Sequence, residues 1–263
     1  MRMLLLLAVA VTAALATAPS AGAIESIQRV DGGAVPNISG TKVRPRAIAL
    51  TVHLFFDTIA PDLDRQVQFA TAHGELFFPK EGLTNNKLFP SCTPAMVLSD
   101  ERQCPAGSRI GTGTARGVGL GLDEDVRLTL FNLPDGKGDA VLVVGSSPLI
   151  IRNVVPVTLT ILTNDPIYKY RLAFDVPKDL QSPAPGVIAA IKDLKVTVPI
   201  QYLRRGGRYV KKKNGQRIPY IATTGCRAGH WMAKYVAQYT TSFDGSIESS
   251  QTVEDSVPCA QGR

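Results

Sequence analysis

Three histidines, His53, His73 and His230, are the residues through which acid–base or nucleophilic chemistry would have to run in this chain. A serine-type hydrolase needs a hydroxyl beside an imidazole that a third group orients. His53 with Asp57 and Ser91, or His230 with Asp244, supplies those residue types without a local signature. The nucleophile elbow Gly-x-Ser-x-Gly is missing, because Gly145-Ser146-Ser147-Pro148 breaks it. The expectation is therefore no catalytic residue, with each histidine on the surface or hydrogen-bonded in a strand. Gly111, Gly113, Gly117, Gly119 and Gly121 suggest a phosphate loop, but the Gly-Lys-Ser/Thr ending is absent. Glycine in a strand or bulge is the expectation there. Asp123-Glu124-Asp125 could hold calcium together with backbone oxygens, although three acids ahead of a strand read first as a solvated turn. No Cys-x-x-Cys is present, which argues against redox catalysis, and Cys92 and Cys104 lack the short spacing of a zinc knuckle. No cofactor or metal is expected.

Charge gives the strongest candidate for function. Arg204, Arg205, Arg208, Lys211, Lys212, Lys213 and Arg217 fall in one window without an acid, in a chain of net charge +7. These residues account for the whole positive excess of the exported chain. They straddle Asn214-Gly215, a tight-hairpin signal, so the cations should crowd onto one projecting hairpin and the loop beside it. Such a patch concentrates polyanions. The partner implied is an anionic cell-envelope polymer or lipid headgroups, with no specific nucleic acid. The competing account is an edge whose lysines only block further sheet pairing.

Residues 1–23 set the compartment. Arg2, the apolar run Leu4 to Ala16 and the small-residue site Ala21-Gly22-Ala23 form an export signal peptide, too short in its apolar part to serve as a membrane anchor. Cleavage near Ile24 would leave no transmembrane segment and a secreted or envelope-associated protein. In that oxidising setting the four cysteines should end as disulfides. Three pairings are possible; the sequential one, Cys92 with Cys104 and Cys226 with Cys259, is preferred because each pair flanks one local segment.

The positioning elements are strands. Ile48, Leu50, Val52, Leu54 and Phe56 alternate with Ala49, Thr51 and His53, and comparable period-two runs recur at 155–161, 168–176 and 194–198. Trp231, Ala233, Tyr235, Ala237, Tyr239, Thr241 and Phe243 share one face of a hairpin that turns at Asp244-Gly245. Apolar positions on one side and polar on the other mark antiparallel sheets with one wet face. The expected fold is an all-β antiparallel β-sandwich over residues 47–263, preceded by a flexible lead-in or irregular first edge over 24–46.

Phe89-Pro90-Ser91-Cys92-Thr93-Pro94, Cys104 through Ala115, Gly225-Cys226, Trp231 and Pro258-Cys259 together resemble a group of secreted proteins, abundant in actinobacteria, to which no activity is assigned. The resemblance implies an extracellular β-rich domain with two sequential disulfides and transfers no catalytic residue. The function expected from the sequence is a secreted, non-enzymatic protein that binds an anionic polymer through the basic hairpin. The alternative is an extracellular hydrolase of carbohydrate or another polymer, recognisable by two carboxylates about 5 to 9 Å apart in a groove.

Overall fold

The computed structural model describes residues 25–59, 69–119, 122–145, 150–240, 247 and 249–262. Residues 1–23, the expected export signal, and the expected Asp244-Gly245 turn lie outside the described residues. The strands are β1 (Glu25–Val35), β2 (Arg46–Ala47), β3 (Ala49–Ile59), β4 (Ala70–Pro79), β5 (Gly82–Thr84), β6 (Arg109–Gly119), β7 (Leu122–Asn132) and β8 (Gly138–Gly145). They continue as β9 (Ile151–Ile161), β10 (Tyr168–Asp175), β11 (Ala190–Val198), β12 (Arg204–Arg205), β13 (Arg208–Tyr209), β14 (Ile221–Thr223), β15 (His230–Thr240) and β16 (Ser249–Pro258). The helices are short: α1 (Pro94–Asp100) and α2 (Lys178–Gln181).

The all-β, antiparallel expectation holds, and the two facing layers are opposite walls of one sheet. Eleven strands run in the order β1-β3-β11-β6-β7-β8-β9-β10-β4-β15-β16, each antiparallel to the next. The sheet curls until its edge strands, β1 and β16, lie side by side. There the Gly32 N–H donates to the Asp255 carboxylate at 2.7 Å, and Ser39 N and Ala260 N exchange bonds with Ala260 O and Asn37 O. The result is a nearly closed barrel. The period-two runs read from sequence fall in β3, β9, β10, β11 and β15 as expected.

Of the two forms expected for the lead-in, the structure shows an edge, and a regular one. Glu25–Val35 is not a flexible segment; it pairs with β3 along its whole length, from Glu25 opposite Ile59 to Val35 opposite Ala49. Its inward residues include Gln28, Gly32 and Ala34, which give no apolar alternation to read. The glycine-rich segment is strand β6, with a register shift between Arg109 and Gly111. A β-carbon on Gly113 would stand 2.3 Å from the Lys195 carbonyl oxygen, so β6 and β11 approach as closely as they do only because side chains are missing.

Outer packing is local. Helix α1 begins at Thr93, whose hydroxyl accepts from Met96 N, with Pro94 in its first turn. It lays the fully buried Val97 on Phe131, Ala140, Leu142 and Val154, an apolar patch on the outer face of β7, β8 and β9. The Cys92–Cys104 disulfide brackets this helix, and Cys226–Cys259 ties the entry of β15 to the exit of β16. Both pairings are the sequential ones. Replacing Cys226 and Cys259 together by Ala should lower unfolding stability by about 2 to 5 kcal/mol, read as a lower urea midpoint; an unchanged midpoint would show that the strand pairing alone holds this end.

Candidate functional site

Inward-facing positions decide what the barrel contains. On β3 they are Leu50, Val52 and Leu54, on β7 Val126, Leu128 and Leu130, on β8 Val141 and Val143, and on β10 Tyr170, Leu172 and Phe174. These large residues meet small ones across the interior: Gly32 and Ala34 on β1, and Ala115, Gly117 and Gly119 on β6. The small walls leave about 360 Å³ that the chain's own side chains do not fill. At one end the short sheet β2-β14-β5 closes the barrel, with Ile221, Ala222 and Thr223 contributing atoms to the lining. At the other, Leu180, Gln181 and Pro183, from α2 and the turn after it, contribute to the lining. The outward positions are mostly polar, as with Thr112, Thr114 and Arg116 on β6 and Ser250, Thr252 and Glu254 on β16. A membrane-spanning barrel shows the reverse, an apolar band outside. Among the described residues no helix is long and apolar enough to cross a membrane.

One end of the lumen holds a hydrogen-bonded polar cluster around Asp139. Gly138 adopts φ +144, and a β-carbon there would fall 1.8 Å from the Val157 carbonyl oxygen. Only glycine permits that approach, which seats β8 against β9 and puts the following residue, Asp139, in the lining. The Tyr220 hydroxyl lies 3.1 Å from Asp139 Oδ1 and 3.2 Å from Asn132 Oδ1. Asn132 is completely buried, and its Nδ2 donates to the carbonyls of Asn86 and Pro90, each at 3.0 Å, which fixes its Oδ1 as an acceptor. A phenol has one proton for two acceptors. If Tyr220 gives it to Asn132, Asp139 must itself be protonated and donate to the phenol oxygen.

Burial acts in the same sense. It pushes the Asp139 carboxyl up to about 7, against a partly opposing hydrogen bond from Tyr220. Burial, with Asp139 beside it, also holds the Tyr220 phenol protonated.

Glu124, the other lumen carboxylate, is buried at the far end of β7. Strand alternation sends Asp123 and Asp125 to the exposed outer face, so the three acids do not converge as a calcium site would require. Glu124 stands eight positions from Asn132, the partner of Asp139 across the ladder, or roughly 26 Å along the strand at 3.3 Å per residue. Glycosidase carboxylates stand about 5 to 9.5 Å apart.

The histidines lie on the outer face. His53 Nε2 is 2.8 Å from Asp193 and not paired with Ser91, which sits beside Cys92 in the loop bonded to Asn132. His73 Nδ1 is 2.7 Å from Asp175. His230 opposes Pro258, while Asp244 lies outside the described residues.

The basic window forms two consecutive turns at the end closed by β14. Arg204–Arg205 pairs with Arg208–Tyr209, and Lys211 bridges to Arg217 around Asn214-Gly215. Leu203, Val210 and Ile218 root it on Ile110, Leu130 and Val198. The guanidinium of Arg204 lies 4.2 Å and that of Arg217 4.1 Å from the centre of the Tyr209 ring, so the phenol is stacked between two cations. Six of the seven cations are exposed, Lys212 being half-buried, and none forms a salt bridge with a described carboxylate.

The lumen and its acid were not found from sequence. The available signal was the Gly/Ala series at alternate positions of β6; Asp139 and Tyr220 are 81 residues apart and carry no spacing to read. No protein-family model, curated protein or solved structure matches the chain.

The native state keeps on Asp139 a proton that the unfolded chain releases near its ordinary value of 3.8. The stability attributable to this group is therefore full below about pH 4, falls as pH rises toward 7 and levels off above it. Asp139→Asn should lie nearest the wild type in melting temperature at about pH 4 and exceed it increasingly as pH is raised to 8. A wild type minus variant difference that does not change with pH would show that Asp139 keeps an ordinary pKa.

Proposed function

We propose that this chain is an exported, non-enzymatic binding protein that carries one apolar molecule in its lumen and meets an anionic surface through the arm from Arg204 to Arg217. The observation that carries the reading is the volume of about 360 Å³ left between apolar walls inside a barrel with a polar exterior. That volume is in the range of small-molecule sites, which are concave, mainly apolar and furnished with few polar groups. Apolar walls with no atoms opposite them forgo the dispersion contacts that a filled interior makes. A bound apolar molecule supplies those contacts.

The two disulfides are those of an oxidising compartment. The signal-like residues 1–23 support export, and amino-terminal sequencing of the mature protein should begin at Ile24. The arm is favoured as the anionic contact because its cations are left to solvent and its Arg204–Tyr209–Arg217 stack stiffens it.

Lumen binding is tested with N-phenyl-1-naphthylamine, a neutral apolar fluorophore. The wild type should enhance its emission saturably, and Val141→Trp, which narrows the lumen, should weaken the enhancement while the far-ultraviolet spectrum stays unchanged. Full enhancement by a folded Val141→Trp protein would overturn the reading.

The arm is tested by sedimentation with isolated envelope material at about 0.1 M and about 1 M salt, where the Debye length falls from about 10 to about 3 Å. Replacing Lys211, Lys212 and Lys213 by Gln should remove salt-sensitive binding and shift stability by no more than about 0.5 kcal/mol. Binding that survives both salt and substitution would exclude the arm as the contact.

A further inference from the structure

An apolar lumen takes up hydrocarbon of any kind; what it prefers depends on the polar atoms it offers. Asp139 and Glu124 are the charged residues that line it, and among the described residues no Lys, Arg or His joins them. Asp139 Oδ1 is engaged by Tyr220 at 3.1 Å, and no described residue engages Oδ2. The enclosing groups settle what Oδ2 can do. Asn132 spends its amide protons on Asn86 and Pro90, and Tyr220 spends its proton within the Asp139–Asn132 pair. When Tyr220 gives its proton to the fully buried Asn132 Oδ1, the Asp139 proton lies on Oδ1 toward the phenol, and in that state, as in the ionised one, Oδ2 is an acceptor toward the lumen.

We propose that the lumen selects amphiphiles whose head is a neutral hydroxyl, donating to Asp139 Oδ2, over alkanes and over fatty carboxylates. The inference rests on the lumen-binding reading and specifies its ligand. A hydroxyl supplies the proton that the buried acceptor lacks. An alkane leaves the acceptor unpaired after excluding solvent from it, which costs more than the bond itself would gain. An ionised carboxylate has no proton to give, meets two acids and finds no cation to balance it.

The experiment displaces N-phenyl-1-naphthylamine from the full chain with dodecane, dodecanol, laurate and dodecylamine. Dodecanol should compete about ten- to hundredfold better than dodecane or laurate, the effect of one hydrogen bond to a buried acceptor. Asp139→Leu should bring dodecanol level with dodecane while leaving dodecane unaffected. Asp139→Asn, which keeps an acceptor for Tyr220 and turns an N–H toward the lumen, should narrow or reverse the preference over laurate. The second variant preserves the test if Asp139→Leu fails to fold.

Equal competition by dodecanol and dodecane in the wild type would overturn the head-group assignment and leave lumen binding standing. Laurate or dodecylamine competing better than dodecanol would overturn the neutral-hydroxyl preference. Absence of any probe binding would remove the lumen reading itself, and the inference with it.

Discussion

Eleven strands that each oppose their neighbours cannot close into a ring without a fault, because alternation around a circle requires an even number. The fault falls between β1 and β16, which run in the same direction and share no continuous ladder. A single carboxylate, Asp255, reaches across to the Gly32 N–H, and the residues after each strand, Asn37 to Ser39 and Ala260, complete the join. Tyr239 adds an internal tie, its hydroxyl donating to Gln28 in the buried interior. Every other feature of the molecule presupposes this join, since an open sheet would expose the faces that the barrel turns inward.

Given closure, residue size decides between a filled core and a lumen. Phe69, Tyr235 and Tyr239 fill one region with aromatic rings packed around Leu54. Where β1 and β6 present glycine and alanine instead, the opposing valines and leucines have nothing to interdigitate with. The small sheet β2-β14-β5 then brings Tyr220 to the end of that space, where it orders Asp139 and Asn132. The polar exterior lets the same chain remain in water while carrying an apolar interior.

The parts of the fold legible in the sequence are those with a complete hydrophobic pattern. Leu50, Val52 and Leu54 identify β3, and Trp231 through Tyr239 identify β15, because their inward residues are large and apolar. The same rule hides β1 and β6. Apart from Val30, their inward positions include Gln28, Gly32, Ala34, Ala115, Gly117 and Gly119, which supply space or a hydrogen bond, and the alternation that would mark a strand is too weak to read. The lumen erased the pattern by which its own walls would have been recognised. The cationic arm was visible as charge, whereas the stacking of Tyr209 between Arg204 and Arg217 required the two turns to be folded. Asp139 looked like any surface acid until Tyr220 arrived from another part of the chain.

The join between β1 and β16 also sets an order of events. Gly32 and Asp255 are separated by 223 positions, so the entropy of bringing them together is recovered only after the intervening ladders have drawn the edges close. Hairpins such as β6–β7, β7–β8 and β8–β9 are local and can form while the chain is still emerging. On contact order alone, a curved, open sheet with its apolar face uncovered is expected to precede the barrel, whose interior is complete only once the join forms. An apolar molecule present at that moment would meet an open trough rather than a closed container, so the state of the join, and not the width of any entrance, would decide what can reach the interior.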